Sequence, residues 1–238
     1  MSNNIRPKPK PFRWISCQNP YEKGWSLLLE YANIDLAEEA ICRIQNISDG
    51  VKNKQKRNIK KQARQVRAAL LQAKEYFDAA KYSSLITQPN HLYYGAVSLS
   101  TACMLINGEG GAYALDKLRA ENQNRGHGLS FKVSCSENDA KKGLNLLENT
   151  HVKIIENGHF SNWYNTLQKK QPVYSRVKTQ FRGEPDKIQF GFEDVGHSSL
   201  VNFAKIKGQN RSIANLIKRI PDLINDLYRF GVKTDTAR

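Results

Sequence analysis

From Ile59 to Ala80 apolar side chains return at every fourth or third residue: Ile59, Ala63, Val66, Leu70, Ala73, Phe77 and Ala80. That spacing writes a single apolar stripe along about six turns of one helix. A stripe of that length needs a second helix to cover it, and the next segment supplies one. In "QPNHLYYGAVSLSTACML", residues 88–105, Leu92, Ala96, Leu99, Cys103 and, just beyond, Ile106 repeat the four-three spacing. Pro89 suits the first turn, where its missing N–H would be unbonded anyway. Gly95, Ala96, Ser98, Ser100 and Ala102 are small enough to let two helices approach closely. The two stripes predict an antiparallel hairpin turning at "SSLITQP". Tyr93 and Tyr94 face adjacent directions, so at least one stands beside the core line.

Shorter elements surround the hairpin. Trp25, Leu28, Leu29 and Ala32 stand at helical spacing, and Asp35 opens a second helix with acids in its first turn, where the helix dipole favours them. The inner stripe of that helix reads Leu36, Ala40, Ile44 and Ile47. "NGEGG" stops the hairpin, "AYALDKLRAE" forms a short helix, and "NQNRGHGLSF" reads as a loop. Ser136 caps a helix with Asp139 as its reciprocal partner and Ala140, Leu144 and Leu147 as apolar positions. From about residue 151 the pattern changes: "HVKII" suggests a strand and "NGHFSNW" a turn. "PVYSRVKTQF" and "KIQFGFEDV" alternate at period two around "RGEPD", a β-hairpin. Ser212 caps a last helix carrying Ile213, Leu216, Ile217 and Ile220, bent at Pro221 and ending at Gly231. The expected fold is mainly α (α+β): a helical bundle built on a long antiparallel hairpin, with a small β-hairpin region in the C-terminal half. Its parts read as a basic Pro-rich arm over 1–22, a helical core over 23–150, a small β-containing region over 151–210, and a C-terminal helix over 211–238 packing on the core.

Composition enters through charge. Thirty-seven Lys and Arg against 22 Asp and Glu give +15, which draws polyanions without saying anything about fold. The charge is concentrated. Between residues 51 and 67 stand Lys52, Lys54, Lys56, Arg57, Lys60, Lys61, Arg64 and Arg67, with no acid. A purely solubilising surface would mix signs, so this run is the candidate nucleic-acid-binding element. Arg6, Lys8, Lys10 and Arg13 alternate with Pro7, Pro9 and Pro11 in an extended arm. No apolar run reaches the roughly 18–20 residues of a membrane helix, and the N-terminus lacks the apolar core of a secretory signal. Cys17, Cys42, Cys103 and Cys135 stand far apart, as in a reducing compartment. The chain reads as cytoplasmic.

Chemistry-bearing motifs are sparse. His151 and His159 have no cysteine or carboxylate at ligand spacing, so no metal site is expected. "NGEGG" lacks the Lys-Ser/Thr of a phosphate-binding loop, and no cofactor is expected. Glu193 and Asp194 are adjacent on a strand and point to opposite faces.

"QPNHLYYGAVSLSTACML", the His-Gly loop after it, "VKIIENGHF" and "SIANLIKRIPDLINDLY" together resemble the YaaC-like bacterial proteins, in order and over most of residues 57–230. The helical core of that family is similar to HEPN-type domains. These are helical bundles found as ribonucleases and nucleotidyltransferase partners, many in toxin–antitoxin and phage-defence systems. The resemblance implies a component of such a system, with Tyr93-Tyr94-Gly95 and His127-Gly128 at the matching positions. Ribonucleases of that group carry an Arg, four to six residues and then a His on one helix. None of His91, His127, His151, His159 or His197 has an arginine in that window. The remaining catalytic candidates are Arg125 and His127, supported by Arg119, Tyr93 and Tyr94: an imidazole beside guanidinium groups can bind phosphate and move a proton. A lone loop histidine between glycines equally suits a structural turn. Three functions follow: a nucleic-acid or nucleotide binder acting through the basic helix, a metal-independent ribonuclease without the standard motif, and a protein–protein adaptor or homodimer joined through the hairpin.

Overall fold

The computed structural model describes residues 13–16, 19–47, 53–108, 115, 126–138, 146–170, 175–181, 188–194 and 203–218. The chain divides into two units, Met1–Gln123 with Asn162–Leu200, and Asn124–Ser161 with Val201–Arg238.

In the first unit, Asn19 starts α1 (Pro20–Leu29) by accepting the Glu22 N–H on its side-chain oxygen at 3.2 Å, with Pro20 in the first turn. A 3-10 turn (Glu30–Ala32) leads into α2 (Ile34–Ile44). The cap of α2 is Asn33, whose Oδ1 accepts from Asp35 N at 2.9 Å, so Asp35 lies in the first turn rather than opening the helix. The buried positions of α2 are Ala37, Ala40 and Ile41, and Leu36 is 45% exposed. The expected stripe is therefore turned by about one residue, which sets alanines against the neighbouring helix.

Helix α3 (Asn53–Tyr82) spans about 45 Å, and α4 (Gln88–Asn107) about 30 Å. They form the expected antiparallel hairpin: Phe77 lies against Gly95, Ser98 Oγ donates to Gln72 Oε1, and Gln62 Nε2 donates to the Leu105 carbonyl. The α3 stripe holds as read. Ile59, Ala63, Val66, Leu70, Ala73 and Ala80 are buried and Phe77 half-buried. The α4 stripe does not. Its buried residues are Gly95, Ser98, Ala102, Met104 and Leu105, while Leu92 and Ala96 are exposed. Close packing requires small side chains along the contact line, and the larger Leu99 and Ile106 pack from its flank. The core joins α2, α3 and α4 through Ala37, Ile41, Val66, Leu70, Met104 and Leu105. Each fully buried large aliphatic contributes about 1.5–3 kcal/mol.

The same unit holds a three-stranded antiparallel sheet in the order β1-β5-β4, of β1 (Arg13–Ser16), β4 (Ser175–Phe181) and β5 (Ile188–Asp194). The period-two hairpin is present, with Thr179 opposite Phe190. Arg13–Ser16 adds an edge strand, Trp14 opposite Gly191, which no alternation in the sequence announced.

The second unit is built on β2 (Leu129–Val133), β3 (Thr150–Ile154) and β6 (Asn210–Ser212), antiparallel in the order β2-β3-β6. Short helices α5 (Leu146–Asn149), α7 (Phe203–Ile206) and α8 (Ile213–Ile217) accompany it. Ser212 caps α8 as expected, its Oγ accepting from Asn215 N at 3.2 Å. "LSFKV" is a strand where a loop is expected, and "HFSNW" begins α6 (His159–Lys170) where a turn is expected. The unit boundary falls within α6, after Ser161. Pro221 and Gly231 lie outside the described residues.

Candidate nucleic-acid interface

The basic run lies in the N-terminal half of α3. Lys54 is in its first turn, and Lys56, Arg57, Lys60, Lys61, Arg64 and Arg67 follow within the helix. Arg67 and the five cations before it down to Lys56 are exposed, while Ile59, Gln62, Ala63 and Val66 between them face the core. Among the described residues, no ion pair or side-chain hydrogen bond engages Lys56, Arg57, Lys60, Arg64 or Arg67.

The position of this charge along α3 is informative. Aligned peptide dipoles make a helix N-terminus partly positive, where acids stabilise and cations oppose. The first turn of α3 has no acid, and the first acid on the helix is Glu75. The C-terminal half balances its charges instead. Lys74 Nζ lies 2.5 Å from Asp78, Lys81 3.2 Å from Asp78 and 3.3 Å from Glu22 of α1, and Lys81 also stands 3.9 Å over the Tyr21 ring. The hydrogen bond from Lys74 holds the Asp78 carboxyl below its ordinary range, and the same bond raises the Lys74 ammonium. One helix thus carries a neutralised half that ties down α1 and a half in which the Lys56, Arg57, Lys60, Arg64 and Arg67 side chains have no partner among the described residues.

An aromatic group borders the other edge of the hairpin. Tyr76 of α3 stacks on Tyr94 of α4 with ring centres 5.6 Å apart and planes at 28°. His91 approaches Tyr76 at 6.3 Å, and Tyr93 meets Tyr94 edge-on at 5.2 Å. Tyr94 is 50% exposed, while Tyr93 is half-buried, with its phenol pushed up by burial and by its Tyr94 neighbour. Tyr94 is the one that stands off the core line. Tyr76 and His91 were not among the expected site residues. Their signal was the antiparallel register of the hairpin, which brings position 76 beside 91 and 94.

His127 occupies an exposed turn of the second unit between Gly126 and Gly128, both with positive φ, at +70° and +79°. The turn receives the start of α6: His159 N–H donates to the Gly126 carbonyl at 3.4 Å and Phe160 N–H to the His127 carbonyl at 3.1 Å. The His127 backbone therefore serves as a helix cap. Arg119, Arg125 and Lys52 lie outside the described residues. A separate open cleft of about 340 Å³ in this unit is lined by Glu148, His151, Asn210, Ser212, Asn215 and Lys218, polar groups of mixed sign. No described helix is long and apolar enough to cross a membrane.

Compared with known protein families, residues 35–236 match the model of the YaaC-like Protein family. The chain belongs to the YaaC-like family. No curated protein and no solved structure matches it. The matched span of this YaaC-like chain contains the basic half of α3, the Tyr76–Tyr94 stack and the His127 turn, whereas β1 and α1 precede it.

Proposed function

We propose that this YaaC-like protein binds nucleic acid through the exposed basic face of α3, in the cytoplasm, as a component of a bacterial defence or toxin–antitoxin-type system. The observation that carries the binding is the acid-free set Lys56, Arg57, Lys60, Lys61, Arg64 and Arg67, exposed along the N-terminal half of α3. Like charges so closely spaced repel one another, and like-charge pairs four apart on a helix are destabilising. A polyanion offsets that repulsion. Phosphate contacts release counterions, so affinity falls steeply with salt.

The test is a salt titration of binding to labelled single-stranded RNA, duplex RNA and duplex DNA, on gels that also display cleavage. Salt-sensitive binding removed by Lys60→Glu with Arg64→Glu supports the reading; absence of binding to all three at low salt refutes it. A second reading, a protein adaptor, is favoured by the hairpin tip, where Tyr82, Leu85 and Ile86 are 89%, 85% and 87% exposed. Retention of a self-associated species that Leu85→Ser with Ile86→Ser dissolves would support that reading in its place.

A further inference from the structure

We infer that α3 and α4 together bind single-stranded nucleic acid, with phosphates following one ridge of α3 and an unpaired base stacking on Tyr94. The inference rests on the nucleic-acid reading of α3 and adds the form of the nucleic acid and the residue that recognises it.

Residues four apart on a helix form a continuous surface ridge. On α3 one such ridge reads Lys56, Lys60, Arg64, Ala68, Gln72 and Tyr76. It rises about 6 Å per step and about 30 Å in all, and turns about 40° per step. It therefore winds about 200° across the solvent side of α3 from Lys56 to Tyr76, and a strand following it must be flexible enough to wrap the helix. Lys56, Lys60, Arg64, Ala68 and Gln72 are exposed, and no acid stands among the six. The ridge begins on three cations, crosses the small Ala68 and the amide of Gln72, and ends where Tyr76 stacks on the half-exposed Tyr94. Charge alone would suit any polyanion. The π faces at the end of the ridge select among them, because heparin and acidic peptides lack a heteroaromatic ring to lay on tyrosine. A duplex offers phosphates to the cations but keeps its bases stacked on each other. Only a single strand can satisfy both ends of the ridge, and stacking of that kind is tolerant of sequence. Tyr76, itself approached by His91, stacks on the Tyr94 ring from one side and Tyr93 meets it edge-on, so the platform is already oriented before a base arrives.

The test uses the full chain and fluorescence anisotropy with a labelled oligo-U 12-mer, the same 12-mer carrying abasic sites, and a 12-base-pair RNA duplex, all at one salt concentration. Tyr94→Ala is expected to weaken the oligo-U complex about 5- to 150-fold, the span of one base–aromatic stack. Tyr94→Phe should retain it, since the ring and not the hydroxyl stacks. Duplex affinity should be unaffected by either change, and abasic sites should weaken wild-type binding while leaving Tyr94→Ala binding unchanged. Binding removed by Lys60→Glu with Arg64→Glu but indifferent to Tyr94→Ala and to abasic sites overturns the single-strand inference and leaves the nucleic-acid reading standing. Equal loss on oligo-U and duplex in Tyr94→Ala also overturns it. Failure of the wild-type chain to bind oligo-U overturns the single-strand inference, and failure on the RNA duplex and on duplex DNA as well overturns the nucleic-acid reading with it.

Discussion

A Cβ placed on Gly95 would lie 3.0 Å from Cδ2 and Cε2 of Phe77, so the close approach of α3 and α4 is set where a glycine meets a ring. Alanine there gains helix propensity of about 0.8–1.0 kcal/mol over glycine and spends it against the ring. Gly95→Ala should therefore change stability by less than about 1 kcal/mol. Gly95→Val adds bulk that the ring cannot yield to, and should cost about 1–3 kcal/mol. Urea unfolding of the three proteins checks the order.

Gly158 is more restrictive. Its φ is +135°, and a Cβ there would fall 2.4 Å from the backbone nitrogen of Gly128. Both strain and collision oppose any side chain, so Gly158→Ala should cost about 2–5 kcal/mol. Faster amide exchange in β2 and β3 would locate the loss. His127→Ala leaves the backbone carbonyl that receives Phe160 N–H, so it should cost less than Gly158→Ala and leave amide exchange at the start of α6 unchanged. A large loss in His127→Ala would show that the imidazole, and not the turn, holds the start of α6.

These glycines mark how far the sequence could be read. The α3 stripe was legible because Ile59 to Ala80 keep an unbroken four-three spacing, which the few apolar residues off it, such as Leu71, do not interrupt. In α4 the apolar period pointed to Leu92 and Ala96, but packing distance outweighed hydrophobicity and gave the contact line to Gly95, Ser98 and Ala102. In the sequence β2 resembles a loop because "NRGHG" runs into it, and the start of α6 resembles a turn because "NGH" opens it. Both are the two halves of one glycine-mediated contact, between Gly128 and Gly158, visible only in three dimensions. At the candidate site the cations were legible as a run. Tyr76 and His91 were not, since their role depends on the partner helix.

Gln62 lies within the α3 stripe yet is polar and buried, its amide donating to the Leu105 carbonyl across the hairpin. Gln62→Ala removes the donor and opens a cavity, and should cost about 2–4 kcal/mol. Gln62→Met restores volume without a donor and isolates the carbonyl, with an expected loss of about 1–3 kcal/mol. If Gln62→Met matches wild type in thermal unfolding, the hydrogen bond contributes nothing net.

The Lys74–Asp78 pair predicts a pH window. The Asp78 carboxyl is held below its ordinary value by the Lys74 hydrogen bond, so its contribution is present above about pH 4 and is lost as pH falls through the folded-state value. The Lys74 ammonium is raised, so its contribution is present below about pH 10 and is lost as pH rises through the folded-state value. The Tm difference between wild type and Asp78→Asn should be flat between these limits and close below pH 4. Because the pair is partly exposed, 1 M NaCl should shrink the difference at every pH.

The two halves of α3 also differ in what their cations do for binding. Each phosphate contact on a single strand contributes about −0.7 to the slope of log K against log salt. Removing Lys56, Lys60 or Arg64 singly as alanine should flatten that slope by about 0.7 each for oligo-U. Lys81→Ala should leave the slope unchanged, because Lys81 is committed to Asp78 and Glu22. It should instead loosen α1, seen as faster amide exchange in Pro20–Leu29. Equal flattening in Lys60→Ala and Lys81→Ala would mean that net charge, and not the acid-free face of α3, governs association.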